Sequence, residues 1–232
     1  MVTPADELRC ELARAGVRSG DEVIVPSYDV CETAHVVLSV GAEPVFADID
    51  PVTFCLSAAS VEGAMTERTA AVVAVHTFGH PADLAALGDV SRRHRVPVLG
   101  HGLEAEPTAA IARRRAHAQY LTARLKGVRT PCAQRAAEHG YQKYVVRVPG
   151  NGRPDRDAFA RALRARGVDC RAPLPTPVHR SAAFRRELWL AETERACDES
   201  LELPLAAEMT RRELQRVVSA CNALGGLLQP AG

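Results

Sequence analysis

Apolar residues fall into short runs separated by polar turns, and the runs alternate in kind along the first hundred positions. Residues 4–16 place Leu8, Leu12 and Val17 on one helical face, with Asp6 and Glu7 in the first turn. Glu22-Val23-Ile24-Val25 reads as a strand closed by Pro26-Ser27, and Thr33 to Val40 as a buried helix. Pro44-Val45-Phe46-Ala47 is a second strand, ended by Asp48-Ile49-Asp50-Pro51. Ser57 opens a helix through Met65. Residues 70–75 (Ala-Ala-Val-Val-Ala-Val) form a third strand, apolar on both faces. Pro81-Ala82-Asp83 opens a helix through Arg93, and Val96-Pro97-Val98-Leu99 is a fourth strand. Strands that are apolar throughout and alternate with helices predict a parallel sheet covered on both faces.

The rhythm changes after Gly100. An Ala- and Arg-rich helix is expected from about Ala109 to Leu125, a strand at residues 144–148 and an amphipathic helix from Asp155 to Arg166. A further strand is expected at Gly167 to Arg171. A Pro-rich loop leads to His179, and Thr210 caps a final helix from Arg211 to about Leu224. The expected fold is α/β: an open, mostly parallel sheet flanked by helices, plus a small α+β C-terminal lobe. The expected domains are residues 1–108 and 109–232.

Charge and composition narrow the classes. Lys+Arg is 29 against Asp+Glu 28, so no basic excess points to nucleic acid. No apolar run is long enough to span a bilayer and no signal-peptide core is present, so a soluble, cytoplasmic protein is expected. Seven widely spaced cysteines without a C-x-x-C pair fit reduced thiols better than a disulfide framework. Lysine occurs only at Lys126 and Lys143.

Three stretches carry a likeness to a known family. They are Gly20 to Tyr28 (Gly-Asp-Glu-Val-Ile-Val-Pro-Ser-Tyr), Gly41 to Asp50 (Gly-Ala-Glu-Pro-Val-Phe-Ala-Asp-Ile-Asp) and Val75 to Asp83 (Val-His-Thr-Phe-Gly-His-Pro-Ala-Asp). Together with Tyr144-Val145-Val146-Arg147, Arg166-Gly167-Val168, Pro177-Val178-His179 and Leu203-Pro204-Leu205, they make the chain resemble the DegT/DnrJ/StrS aminotransferases. These are pyridoxal-phosphate enzymes of sugar and natural-product biosynthesis with the aspartate-aminotransferase (type I) fold. The likeness runs from about residue 8 to 225, in two blocks, and implies a truncated, degenerate member.

The departures decide the expected chemistry. The resemblance implies a phosphate cradle at an N-terminal helix start, and this chain begins after that point. Where the family carries an Asp for the pyridine nitrogen, this chain has His101. The ring-stacking aromatic corresponds to Val30. The segment bearing the Schiff-base lysine has no counterpart, because Glu106-Pro107 leads almost directly into the next helix. The expectation is therefore that pyridoxal phosphate is not used.

The segments that follow the strands are still rich in titratable groups: Tyr28, Asp29, Cys31, Glu32, His35, His76, His80, His101 and Glu104. In an open parallel sheet such segments border the ligand crevice. The expectation is cofactor-independent acid–base chemistry on a small molecule, namely cyclisation, isomerisation, elimination or hydration. His101, Glu104, Asp29 and Glu32 would be catalytic; Tyr28, Cys31, His35, His76 and His80 would bind the substrate. Against this stands the reading that these are ordinary loop polar groups. A metal held by Cys31, Glu32 and His35 lacks a spaced motif, and Cys31 as a nucleophile competes with its being a small buried thiol. The alternative function is a non-catalytic partner of a full-length aminotransferase or glycosyltransferase. A homodimer is expected, because a shortened scaffold would expose apolar surface.

Overall fold

A computed structural model describes residues 3–102, 106–131, 139–149 and 155–225. The chain divides into two compact units. Unit 1 comprises Met1–Thr77, Pro81–Leu103 and Thr176–Glu194; unit 2 comprises Phe78–His80, Glu104–Pro175 and Arg195–Gly232.

Unit 1 is built on four parallel strands, β1 (Glu22–Pro26), β2 (Glu43–Ala47), β3 (Thr69–Val75) and β4 (Val98–His101), in the order β2-β1-β3-β4. Its helices are α1 (Pro4–Arg14), α2 (Glu32–Ser39), α3 (Ala58–Ala64) and α4 (Leu84–His94). The pleat sorts the apolar residues. Val23, Val25, Ala71, Val73 and Val75 pack with Leu8, Leu12, Val36 and Val37 of α1 and α2. Ile24, Val72 and Ala74 face Val61, Leu87 and Val90 of α3 and α4 on the other side. This is the doubly covered parallel sheet that the near-continuous apolar strands predict. The α1 start is fixed by a Thr3–Asp6 capping box with Pro4 in the first turn.

Unit 2 joins α5 (Thr108–Thr122), β5 (Tyr144–Arg147), α6 (Asp155–Arg164), β6 (Ser200–Leu203) and α8 (Arg211–Gly225). β5 and β6 pair antiparallel, Tyr144 opposite Leu203 and Arg147 opposite Ser200. Tyr144, Val146, Leu121, Leu163, Leu201 and Val217 lie in its core. The helix α7 (Ala191–Glu199) begins in unit 1 and ends in unit 2.

Three expectations change. Gly167–Arg171 forms no strand although Val168 and Cys170 are buried and Asp169 and Arg171 exposed in a strand-like alternation, because only Arg171 reaches a strand partner, through an isolated bridge to Glu202. β6 and α7 lie where neither element was expected. The arginine run Arg113-Arg114-Arg115 in α5, which the sequence suggests is a solvated face or an interface stripe, is partly tied down: Arg114 pairs with Glu106 at 2.5 Å and donates to the Gly140 carbonyl, and Arg115 donates to the His139 carbonyl.

Candidate functional site

All four strands of unit 1 run the same way, so their carboxyl ends share one edge, and the order β2-β1-β3-β4 places a topological switch between β1 and β3. Ser27, Tyr28 and Asp29 follow β1, Asp48 follows β2, His76 and Thr77 follow β3, and His101 ends β4. The backbone N–H of His76 donates to the His101 carbonyl at 2.8 Å, which ties the last two strands together at this edge. Gly102 then turns the chain away with φ +88°, a left-handed conformation that glycine adopts without a Cβ penalty.

Electrostatics join part of the predicted set. Burial pushes the Asp29 carboxyl up to about 6, opposed by the Thr33 hydroxyl, which donates to it at 2.5 Å, and assisted by the Glu32 charge. Burial lowers His101, while Glu11, Glu32 and Glu7 act in the other direction. Glu32 thus acts on both Asp29 and His101. Burial also lowers His76, with His101 adding to the effect. Both imidazoles are therefore biased to the neutral form. His76 accepts the Ala82 backbone N–H on Nδ1 at 2.9 Å. A ring nitrogen that accepts carries no proton, so the neutral ring is protonated on Nε2.

Other expected residues lie elsewhere. The Tyr28 ring is fully buried and stacks on Phe54 at 5.5 Å, so it belongs to the core. His35 is on the exposed side of α2, its Nδ1 2.7 Å from the Cys31 carbonyl and its ring edge-on to Phe184. Cys31 is half-buried and packs on the apolar cluster under α2. His80 groups with unit 2, its ring 5.0 Å from that of His139. Glu104 lies outside the described residues. Among the described residues no three His, Cys, Asp or Glu side chains gather as a metal site.

A buried chain of polar groups escapes the spacing argument. The Ser27 hydroxyl lies 2.6 Å from His179 Nδ1, His179 Nε2 lies 3.2 Å from Glu194 Oε1, and Arg180 donates to the same carboxylate oxygen at 2.8 Å. Ser27 and His179 are fully buried, and the His179 backbone N–H also donates to Ser27 Oγ. The hydroxyl is therefore a structural tie between β1 and residues 177–180. A serine and a histidine 152 residues apart give no periodic signal.

The profile of the DegT/DnrJ/EryC1/StrS aminotransferase family matches residues 4–106 and 103–222. The chain belongs to this family. It is 32% identical to the L-glutamine:2-deoxy-scyllo-inosose aminotransferase of Streptomyces lividus, an alignment covering 97% of this chain and 51% of the relative. It is 42% identical over 115 residues to the L-glutamine:scyllo-inosose aminotransferase of Streptomyces griseus, covering 47% of this chain and 27% of the relative. The chain thus spans about half, or less, of the length of these curated relatives. Among solved structures it superposes on Streptomyces venezuelae DesV in complex with a ketimine intermediate, with TM-score 0.86, 21% identity and coverage of 99% of this chain and 84% of that one. It also superposes on ntdA from Bacillus subtilis with bound cofactor PMP, with TM-score 0.87, 19% identity and coverage of 97% and 72%. These two likenesses establish the type I aminotransferase fold.

Two expectations are corrected by these findings. Cofactor-independent cyclase, isomerase or lyase chemistry is overturned, because the relatives are named as aminotransferases. The expected lack of pyridoxal phosphate is overturned as well: of the solved structures on which the chain superposes, one holds a ketimine intermediate and another bound cofactor PMP. The alternative of a non-catalytic partner has no support in any of these likenesses. The two profile blocks overlap at residues 103–106.

The residues of unit 1 do not complete a pyridoxal-phosphate site. Neither of the two lysines belongs to unit 1. Lys126 is exposed, and Lys143 Nζ lies 3.7 Å from Glu202 and over the Phe78 ring in unit 2. Unit 1 thus offers no amine for a Schiff base, His101 offers no negative charge for a pyridinium, and Val30 is 54% exposed.

Proposed function

We propose that the protein serves in amino-group transfer to a polyhydroxylated ring ketone of the kind its relatives' names describe, and that unit 1 binds that ketone at the carboxyl edge of its sheet. The observation that carries this reading is the chemistry of the edge. Asp29, Glu32, His76 and His101 bring carboxyl and imidazole groups to this edge, and residues 27–32, 48–50, 76–77 and 101–102 contain no Lys or Arg. Such an edge can hydrogen-bond a ring of hydroxyls, and it has no fixed cation for a phosphate or a nucleotide diphosphate. Asp29, with its carboxyl raised to about 6, can hold or release a proton, and the His101 ring, which burial biases to the neutral form, can accept one. Glu32 tunes both by its charge. His76 presents a fixed N–H donor, and Cys31 and His35 support α2.

The homodimer remains part of this proposal, with a small-molecule ligand in each subunit. No helix among the described residues is long and apolar enough to cross a membrane. The binding reading is tested by titration calorimetry with scyllo-inosose. Saturable binding that millimolar pyrophosphate does not compete supports it. Absence of binding, or displacement by pyrophosphate, overturns it.

A further inference from the structure

We propose that His179 is a positioning residue for the carboxyl edge of unit 1: its imidazole fixes Ser27 at the end of β1, and with it the course of the chain that carries Asp29. The inference rests on the ketone-binding reading and names what sets the edge carboxyl in place. Ser27 and His179 are fully buried, and both belong to unit 1. Three hydrogen bonds hold Ser27 to residues 178–179. Its carbonyl accepts the Val178 N–H at 2.9 Å, its Oγ accepts the His179 backbone N–H at 3.1 Å, and Oγ lies 2.6 Å from His179 Nδ1. Asp29 follows two residues later. Tyr28, between them, stacks on Phe54, so the exit from β1 is pinned on both sides of its first turn.

Proton accounting gives these bonds one direction. His179 Nε2 lies 3.2 Å from Glu194 Oε1, and Arg180 Nε donates to that same oxygen at 2.8 Å. A carboxylate oxygen accepts, so the imidazole proton sits on Nε2. Nδ1 of the neutral ring is then an acceptor and takes the Ser27 hydroxyl proton. A second ring proton would put two N–H donors on Oγ and turn its O–H out of the bond. Burial opposes that second proton: it lowers His179, with the Arg180 charge adding to the effect, while Glu194 and the Leu188 carbonyl act the other way. On the β2 side the ring meets Phe46, with centroids 6.3 Å apart, and Asp48 beyond that strand is engaged by Glu192 and Thr193. Asp29 responds to this tie because burial is what raises its carboxyl, and its burial depends on how closely residues 28–32 are held to the sheet.

Ser27→Ala removes the hydroxyl and His179→Ala the ring, whereas His179→Asn keeps an acceptor near the former Nδ1. Carboxyl 13C resonances follow the Asp29 titration in the folded protein, which a loss of global stability alone does not move. The midpoint, about 6 in the wild type, should fall toward the ordinary carboxylate value near 3.9 in both alanine variants and stay near the wild-type value in His179→Asn. The alanine variants should also bind scyllo-inosose about tenfold more weakly. Long-range 1H–15N correlation spectra of the wild-type protein should show the His179 proton on Nε2. An Asp29 midpoint unchanged in Ser27→Ala, a His179 proton on Nδ1, or His179→Asn behaving as His179→Ala overturns the inference and leaves the ketone-binding reading standing. If His179→Ala does not fold, Ser27→Ala and the wild-type tautomer still decide. Failure of the wild-type protein to bind scyllo-inosose overturns the ketone-binding reading, and the Asp29 titration then decides the role of His179 by itself.

Discussion

Asp29 shows how much one residue's environment decides. Burial raises its carboxyl to about 6 although Thr33 donates to it at 2.5 Å. A carboxyl whose folded value lies above the unfolded value near 3.9 favours the folded state at low pH, and that contribution is lost as pH rises through 6. Asp29→Asn keeps an acceptor for Thr33 and cannot ionise. It should therefore stabilise the protein at pH 8, by on the order of 1–3 kcal/mol, and lose that advantage near pH 4. Urea unfolding midpoints at the two pH values check this; a variant less stable at pH 8 would contradict it. His139 in unit 2 runs the opposite way. Burial lowers it to about 3, so its contribution is complete above about 6.5 and falls away as pH drops toward 3. At this scale the sequence marked Asp29, His76 and His101 as edge residues because they follow strands. It could not separate them from Tyr28, since a tyrosine after a strand stacks inward or outward according to a partner, Phe54, that lies 26 positions away.

At the scale of elements, period and punctuation carried most of the fold. Strands apolar on both faces implied the parallel sheet, and Asp83, Ser57 and Thr210 marked helix starts by their capping chemistry. What was not legible depends on distant partners. β6 (Ser-Leu-Glu-Leu) is too short and too polar to announce itself, and it forms because β5 supplies a ladder. The start of α7 is held from outside: Asp48 accepts the N–H groups of Glu192 and Thr193 and the Thr193 hydroxyl, at 2.7–2.9 Å. Asp48 looks like half of a D-x-D metal motif, yet its oxygens are committed to this cap. Its partner Asp50 holds a turn by accepting from Val52 and Thr53. Asp48→Ala should lower stability by about 1–2 kcal/mol, the usual cost of removing a helix cap. Thermal unfolding checks it; a melting temperature unchanged by the substitution would show that the cap is dispensable.

For the whole molecule, family membership and the residues at the edge have to be read together. The fold and the relatives place the chain among aminotransferases, while both lysines lie in unit 2. The strand-end motifs make the family legible in the sequence. The chemistry is not legible there, because a missing group says what a site lacks and leaves open what the remaining groups bind. The remaining groups are carboxyls and imidazoles at the carboxyl edge of unit 1, with no Lys or Arg among residues 27–32, 76–77 and 101–102. The most direct test is a titration of the isotope-labelled protein with scyllo-inosose, read residue by residue by NMR. The account predicts chemical-shift changes concentrated at residues 28–32, 76–77 and 100–102. Changes confined instead to the 460 Å3 cleft of unit 2 lined by Lys143, Arg171 and Glu202, or no changes at all, would contradict it.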